Sequence, residues 1–205
     1  MKLFAIAALI SVVAVSMAQN AYFTGSLTAN DPTWNRPLED GSALSAVGTL
    51  VFYDVQPFYV AAAGTFTFET AAPTPNNYDT FAFIYQNAFN SATPLINYVA
   101  GDDDFTGAFT ILPGPYTPTN GTGSGGVTPS SQILNVALSA GIQYYAINTT
   151  FSNGAVGTYF SGIGGRGAAG GPIDVTLGTL PVPEPASMVA LGIGALALLR
   201  KRRKA

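Results

Sequence analysis

The chain has 205 residues, of which 48% are hydrophobic and only 9% charged, with no Cys and no His. Without those two side chains there is no Ser-His-Asp or Cys-His nucleophile, no ordinary zinc site and no disulfide framework; metal ligation falls to oxygen donors, which suit hard cations such as calcium. The net charge of −3 hides a segregation, because ten acids and two bases lie between Gln19 and Val182, a local charge of −8 with no Lys, which argues against nucleic acid as a partner.

At the N-terminus, Met1-Lys2 supplies a short positive region and Leu3 to Val15 an apolar run of 13 residues. Ser16-Met17-Ala18 then places small side chains where a signal peptidase must fit them. Residues 1–18 therefore read as a secretory signal cut after Ala18. The other reading, a retained membrane anchor, wants a run of ~20 apolar residues.

Residues 19–181 read as one domain, large enough for a real core and too small for two. Turn-bounded runs rich in Thr, Val, Tyr and Phe predict strands near Tyr22 to Thr28, Ala46 to Tyr53, Gln56 to Ala61, Gly64 to Thr70, Asp79 to Tyr85 and Leu95 to Ala100. Four more follow near Ser131 to Leu138, Ile142 to Phe151, Val156 to Gly162 and Ile173 to Leu180. No long stretch has a helical period. The fold class expected is all-β, a jelly-roll-like antiparallel β-sandwich.

Alternation is clearest in Thr65-Phe66-Thr67-Phe68-Glu69, which puts both Phe rings on one face and leaves Glu69 facing solvent. Trp34 lies in the turn-rich run Asn30-Asp31-Pro32-Thr33-Trp34-Asn35-Arg36-Pro37 and is either a binding-loop residue or a cover for the open edge of the sandwich. Leu112 to Ser131 and Ser161 to Pro172 are glycine-rich and read as flexible loops; neither continues as a phosphate-binding P-loop.

A hairpin formed by Asp79 to Tyr85 and Leu95 to Ala100 would place Asp79 opposite Gly101 and beside Asp102. Asp79, Asp102, Asp103 and Asp104 then gather at one end of a sheet. Like charges at close range need a cation, hydrogen-bond donors or water. Calcium accepts six to eight oxygens and is the candidate cofactor; the other reading is a solvated Asx-type turn. A polysaccharide hydrolase using Asp79 with the triplet is a weaker reading, since nothing in the sequence positions a substrate.

The run Phe58 to Phe68, the Asp79-Thr80 pair opening a strand, the Asp102-Asp103 turn and Leu138-Ser139-Ala140-Gly141-Ile142-Gln143-Tyr144-Tyr145 together resemble a bacterial pre-peptidase C-terminal domain over about residues 50–162. That resemblance implies a secreted β jelly roll. The glycine-rich insertion before Ser131 departs from its pattern.

The chain closes with Pro183-Glu184-Pro185, an uncharged and mostly apolar run over 186–199, and Arg200, Lys201, Arg202, Arg203 and Lys204 within a basic tail, 200–205. Fourteen residues make a helix of about 21 Å, short of a ~30 Å hydrocarbon core, so the predicted transmembrane helix is a transient anchor. The basic cluster stops transfer and keeps the tail cytoplasmic. Residues 182–205 resemble the PEP-CTERM protein-sorting signal. The resemblance implies an exosortase that acts near Pro183-Glu184-Pro185, with signal peptidase as the other export partner and exopolysaccharide or envelope components as candidate partners outside. The function expected is a secreted, non-catalytic bacterial cell-surface or extracellular-matrix protein. The alternative is a permanently anchored single-pass membrane protein with a carbohydrate-binding ectodomain.

Overall fold

The computed structural model describes residues 19–72, 78–105, 109–112 and 130–181. The expected signal peptide with Ala18, the Pro183-Glu184-Pro185 motif, the short span and the basic tail all lie outside the described residues. Among the described residues every regular element is a strand, and no helix is long and apolar enough to cross a membrane.

Eleven strands follow one another: β1 Ala21–Leu27, β2 Thr33–Trp34, β3 Val51–Val60, β4 Gly64–Ala71, β5 Thr80–Gln86 and β6 Tyr98–Asp102, then β7 Ser131–Leu138, β8 Tyr144–Thr150, β9 Gly157–Arg166, β10 Pro172–Ile173 and β11 Val175–Leu177. They form two antiparallel sheets. One runs β1-β9-β4-β7, with β10 paired to the end of β9; the other runs β11-β3-β8-β5-β6, with β2 on β3.

The main apolar cluster draws on both sheets. Phe66 and Phe68 of β4, Ile133 and Leu138 of β7 and Ile163 of β9 meet Phe58 of β3, Ile84 of β5 and Ala146 of β8. Each fully buried large side chain is worth ~1.5–3 kcal/mol. Strand β5 is buried on both faces: Ala82 and Ile84 point into this core, while Phe81, Phe83 and Tyr85 join a second cluster on the outer side. Trp34 closes that second cluster. It is 3% exposed, sits 5.4 Å from Phe83 and 5.3 Å from Phe89, and donates its indole N–H to Thr149 Oγ1 at 3.3 Å. The tryptophan thus covers the face of a sheet and is not a binding-loop residue.

Several strand boundaries move for identifiable reasons. The two strands expected at 46–53 and 56–61 are one, β3, which runs through Pro57. The Pro57 carbonyl accepts from Gly178 N–H on the β11 side (2.8 Å), so the N–H that proline lacks would also point to that edge, just past the last β11 pair. The β8 ladder is untouched. The strand expected at 95–100 begins at Tyr98, because Leu95 to Asn97 are consumed by turns that donate Thr93 N–H to Asn90 and Ile96 N–H to Thr93. The β5–β6 register slides accordingly: Gly101 faces Phe83, not Asp79.

The supposed loop from Ser161 is half strand. β9 continues to Arg166, its Gly165 lying under the Phe66 ring, where a Cβ would collide with the aromatic carbons. The last expected strand breaks at Asp174, so that β10 stays on the first sheet and β11 crosses to the second.

Candidate functional site

Asp79 immediately precedes β5, and Asp103 and Asp104 immediately follow β6. Because β5 and β6 are antiparallel, these positions fall at the same end of the sheet. One carboxylate oxygen from each of the three lies within 4.8 Å of the others. The backbone beneath them is fixed by Ser131 of β7, whose hydroxyl donates to the carbonyls of Thr80 (2.9 Å) and Asp103 (2.7 Å). Phe151 N–H donates to the Asp79 carbonyl at 3.0 Å.

Asp102, the fourth expected member, is not in this group. Its carboxylate accepts the Gln132 N–H at 2.6 Å and so ties β6 to β7. A strand alternates its side chains, so consecutive Asp102 and Asp103 leave the sheet in different directions.

Arg36, to which no local sequence pattern assigns a role, completes the site. Its backbone is held by an N–H donated to Gly48 (3.0 Å) and a carbonyl accepting from Ser45 (2.8 Å). The side chain is only 2% exposed. Its guanidinium carbon stands 3.9 Å from the Phe81 ring centre and 5.1 Å from that of Phe151, and its terminal nitrogens donate to the carbonyls of Pro37 and Phe151, both at 3.1 Å. The available signal was scarcity: Arg36 is one of two bases among ten acids in residues 19–182.

Burial dominates the electrostatics. It pushes the Asp79 carboxyl up to about 6 with help from Asp104, and the Asp103 carboxyl up to about 7 with help from Asp79 and Asp104. Arg36 opposes both shifts. Burial also raises Asp102 to about 6, against the pull of the Gln132 N–H. The Arg36 guanidinium is lowered by burial and raised again by Asp103 and Asp79. One oxygen each of Asp79 and Asp103 is buried with no hydrogen-bond partner, as is Arg36 Nε. When all three acids are ionised the arginine leaves a surplus of negative charge, served by oxygen atoms of the kind calcium takes. Beside the site opens a cavity of about 610 Å³ lined by Arg36, Glu39, Val47, Phe81, Asp103 and Phe151.

Glu69 contradicts the expectation that it faces solvent. It is 0% exposed. Its Oε1 accepts from Thr110 N–H (2.7 Å), Thr110 Oγ1 (2.9 Å) and Gln132 Nε2 (2.6 Å), and its Oε2 from Ile111 N–H (2.9 Å) and Leu112 N–H (2.8 Å). Three successive backbone N–H groups therefore cradle one carboxylate, a nest closed by an internal anion. The alternation was right about the face; what it could not show is that residues 109–112 return across that face. Gly162 makes room for them, since a Cβ there would meet Leu112 Cδ2 at 2.8 Å.

Residues 181–204 match the PEP-CTERM protein-sorting motif. The match begins at Pro181, four residues beyond the last strand. No curated protein matches the chain. This motif implies an extracellular protein sorted by an exosortase, the partner that recognises it.

Proposed function

We propose that the chain is a non-catalytic component of the bacterial cell surface or extracellular matrix. In this reading it is exported by cleavage after Ala18, held briefly by the helix over 186–199 and processed at Pro183-Glu184-Pro185. The observation that carries the reading is the sorting motif at 181–204, set directly behind the last described strand. A jelly-roll-like sandwich is supported by the chain's repeated crossing between sheets, from β3 to β4, β4 to β5, β6 to β7, β7 to β8 and β8 to β9. A structural role is supported by the way the acids are used: Glu69 is saturated by five donors, and Asp102 is tied to Gln132. The resemblance to pre-peptidase C-terminal domains agrees with a secreted jelly roll.

The same reading assigns calcium to Asp79, Asp103 and Asp104. Its support is the unpartnered, buried oxygens of Asp79 and Asp103. The ion would stiffen the joint between the start of β5 and the end of β6.

Fractionation with intact mass tests the sorting step. The parent protein is expected as an extracellular form shortened at both ends, and a Glu184→Ala variant as a membrane-retained form that still carries the tail to Ala205. Equal retention of both with the tail to Ala205 intact overturns processing, and hydrolysis of a polysaccharide that is lost in Asp79→Asn overturns the non-catalytic role.

A further inference from the structure

The second cavity, about 720 Å³, lies on the outer face of the β1-β9-β4-β7 sheet, far in character from the acidic site. Its side chains include Asn20, Tyr22, Thr65, Thr67, Asn135 and Arg166, and its floor is Gly164 and Gly165. No acid appears among the described residues that line it, although residues 19–182 hold ten. The volume falls within the ~300–1,000 Å³ of ligand clefts.

Tyr22 is 41% exposed, stacked at 6.1 Å on Phe160 and anchored by its hydroxyl, which donates to the Ile111 carbonyl at 3.0 Å. Asn20 Nδ2 donates to the same phenol at 3.3 Å. The ring is thereby fixed in orientation yet accessible. A fixed ring beside amides, hydroxyls and a guanidinium is the chemistry that takes an apolar sugar face together with a rim of hydroxyls.

Charge decides which sugar. Arg166 is exposed at the groove and the proposed cleavage after Ala18 leaves Gln19 as a cationic amino terminus at its lip, but that nitrogen donates to Asp174 (2.9 Å) and Glu69 lies behind the 109–112 strap, so two acids offset the two cations. The local charge does not favour an anion, and the domain as a whole is at −8. We propose that this groove is a binding site for a neutral glycan, with Tyr22 as the stacking platform and Asn20, Thr67, Asn135 and Arg166 as hydrogen-bonding groups. The proposal rests on the export reading, which gives the domain access to extracellular polysaccharide, and it names that ligand's site.

Affinity electrophoresis of the purified exported protein tests it, in gels containing laminarin, hydroxyethyl cellulose or galactomannan as neutral probes and polygalacturonate as the acidic one. The expected result is retardation by at least one neutral probe. The effect should weaken fivefold or more in Tyr22→Ala and Arg166→Ala, persist in Tyr22→Phe, and be unchanged in Leu95→Ser, remote from the groove. Unfolding midpoints measured in parallel should show Arg166→Ala folded as the parent. No retardation by any neutral probe, retardation by polygalacturonate alone, or equal retardation of parent, Tyr22→Ala and Arg166→Ala overturns the proposal. Because binding is read on purified protein, those failures leave sorting untouched, whereas failure of the Glu184→Ala fractionation removes export and says nothing against the groove.

Discussion

Replacing Glu69 by Gln removes charge and one acceptor while keeping shape. The amide must place its NH2 group at one of the two oxygen positions. If it takes the Oε2 position, Ile111 N–H and Leu112 N–H, at 2.9 and 2.8 Å in the parent, face another donor. If it takes the Oε1 position, Thr110 N–H and Gln132 Nε2 lose their acceptor instead. Two orphaned buried donors cost roughly 2–6 kcal/mol at ~1–3 each. The protein has an escape, which is to release the 109–112 strap to water. That route exposes Leu112, 6% exposed in the fold, and part of Ile111, at roughly 2–4 kcal/mol. The cheaper route sets the outcome, so the expected loss is roughly 2–4 kcal/mol, or about 5–15 °C in Tm. Hydrogen exchange read by mass spectrometry should show loss of protection at Ile111 and Leu112 if the NH2 takes the Oε2 position, at Thr110 if it takes the Oε1 position, and at all three amides if the strap is released. An unchanged unfolding midpoint together with unchanged protection of those amides would refute the reasoning.

Three further outcomes follow from the described contacts. Asp79 and Asp103 are raised from 3.8 to about 6 and about 7, so between about pH 4 and 7 the folded state holds protons that the unfolded chain has released. Stability in chelator should therefore fall by roughly 1–2 kcal/mol as pH rises through that window, allowing for solvent screening of half-buried groups, and calcium added at pH 7.5 should restore it; melting curves in EGTA and in calcium across pH check both parts. Trp34, the chain's one tryptophan, should emit as a buried indole, and Trp34→Phe should cost roughly 1–2 kcal/mol through loss of the Thr149 bond and of volume, measured by urea unfolding followed by circular dichroism. Gly165→Ala should destabilise by ~1–3 kcal/mol because its Cβ enters the space of the Phe66 ring, whereas Gly171→Ala, with open space around it, should stay within ~0.5 kcal/mol of the parent in the same assay.

What was legible in the sequence depends on whether the cause was local. The strand Ser131–Leu138 is legible to the residue because Pro129 and Ser130 end it on one side and Ala140-Gly141 turn it on the other. Phe66 and Phe68 were placed on the core face because alternation reports the pleat directly. Glu69 obeyed the same pleat, yet its burial comes from residues about forty positions later, and nothing in its own strand encodes that cover. The glycines of β9 misled in the same way. Their cause is the ring of Phe66 on one face and the strap on the other, so a stretch that looks like a linker is a strand relieved of side chains where neighbours need the space.

The acidic site was half legible for a related reason. Acids that follow a strand meet the start of the neighbouring antiparallel strand, so Asp79 reaches Asp103 and Asp104 even though the expected register is off by four residues. Slippage along the sheet changes which residues pair, but it leaves the end of one strand beside the beginning of the next. The pleat, by contrast, has a period of two, and it sends Asp102 away from Asp103 whatever the register. Arg36 enters from a segment before β3 that no short-range pattern links to β5. Its guanidinium is fixed between two rings by carbonyl acceptors, so it lowers the repulsion among the acids without neutralising all of them. That residual charge, in a place where two carboxylate oxygens have no donor, is what the proposed calcium would neutralise at neutral pH and what protons neutralise at low pH.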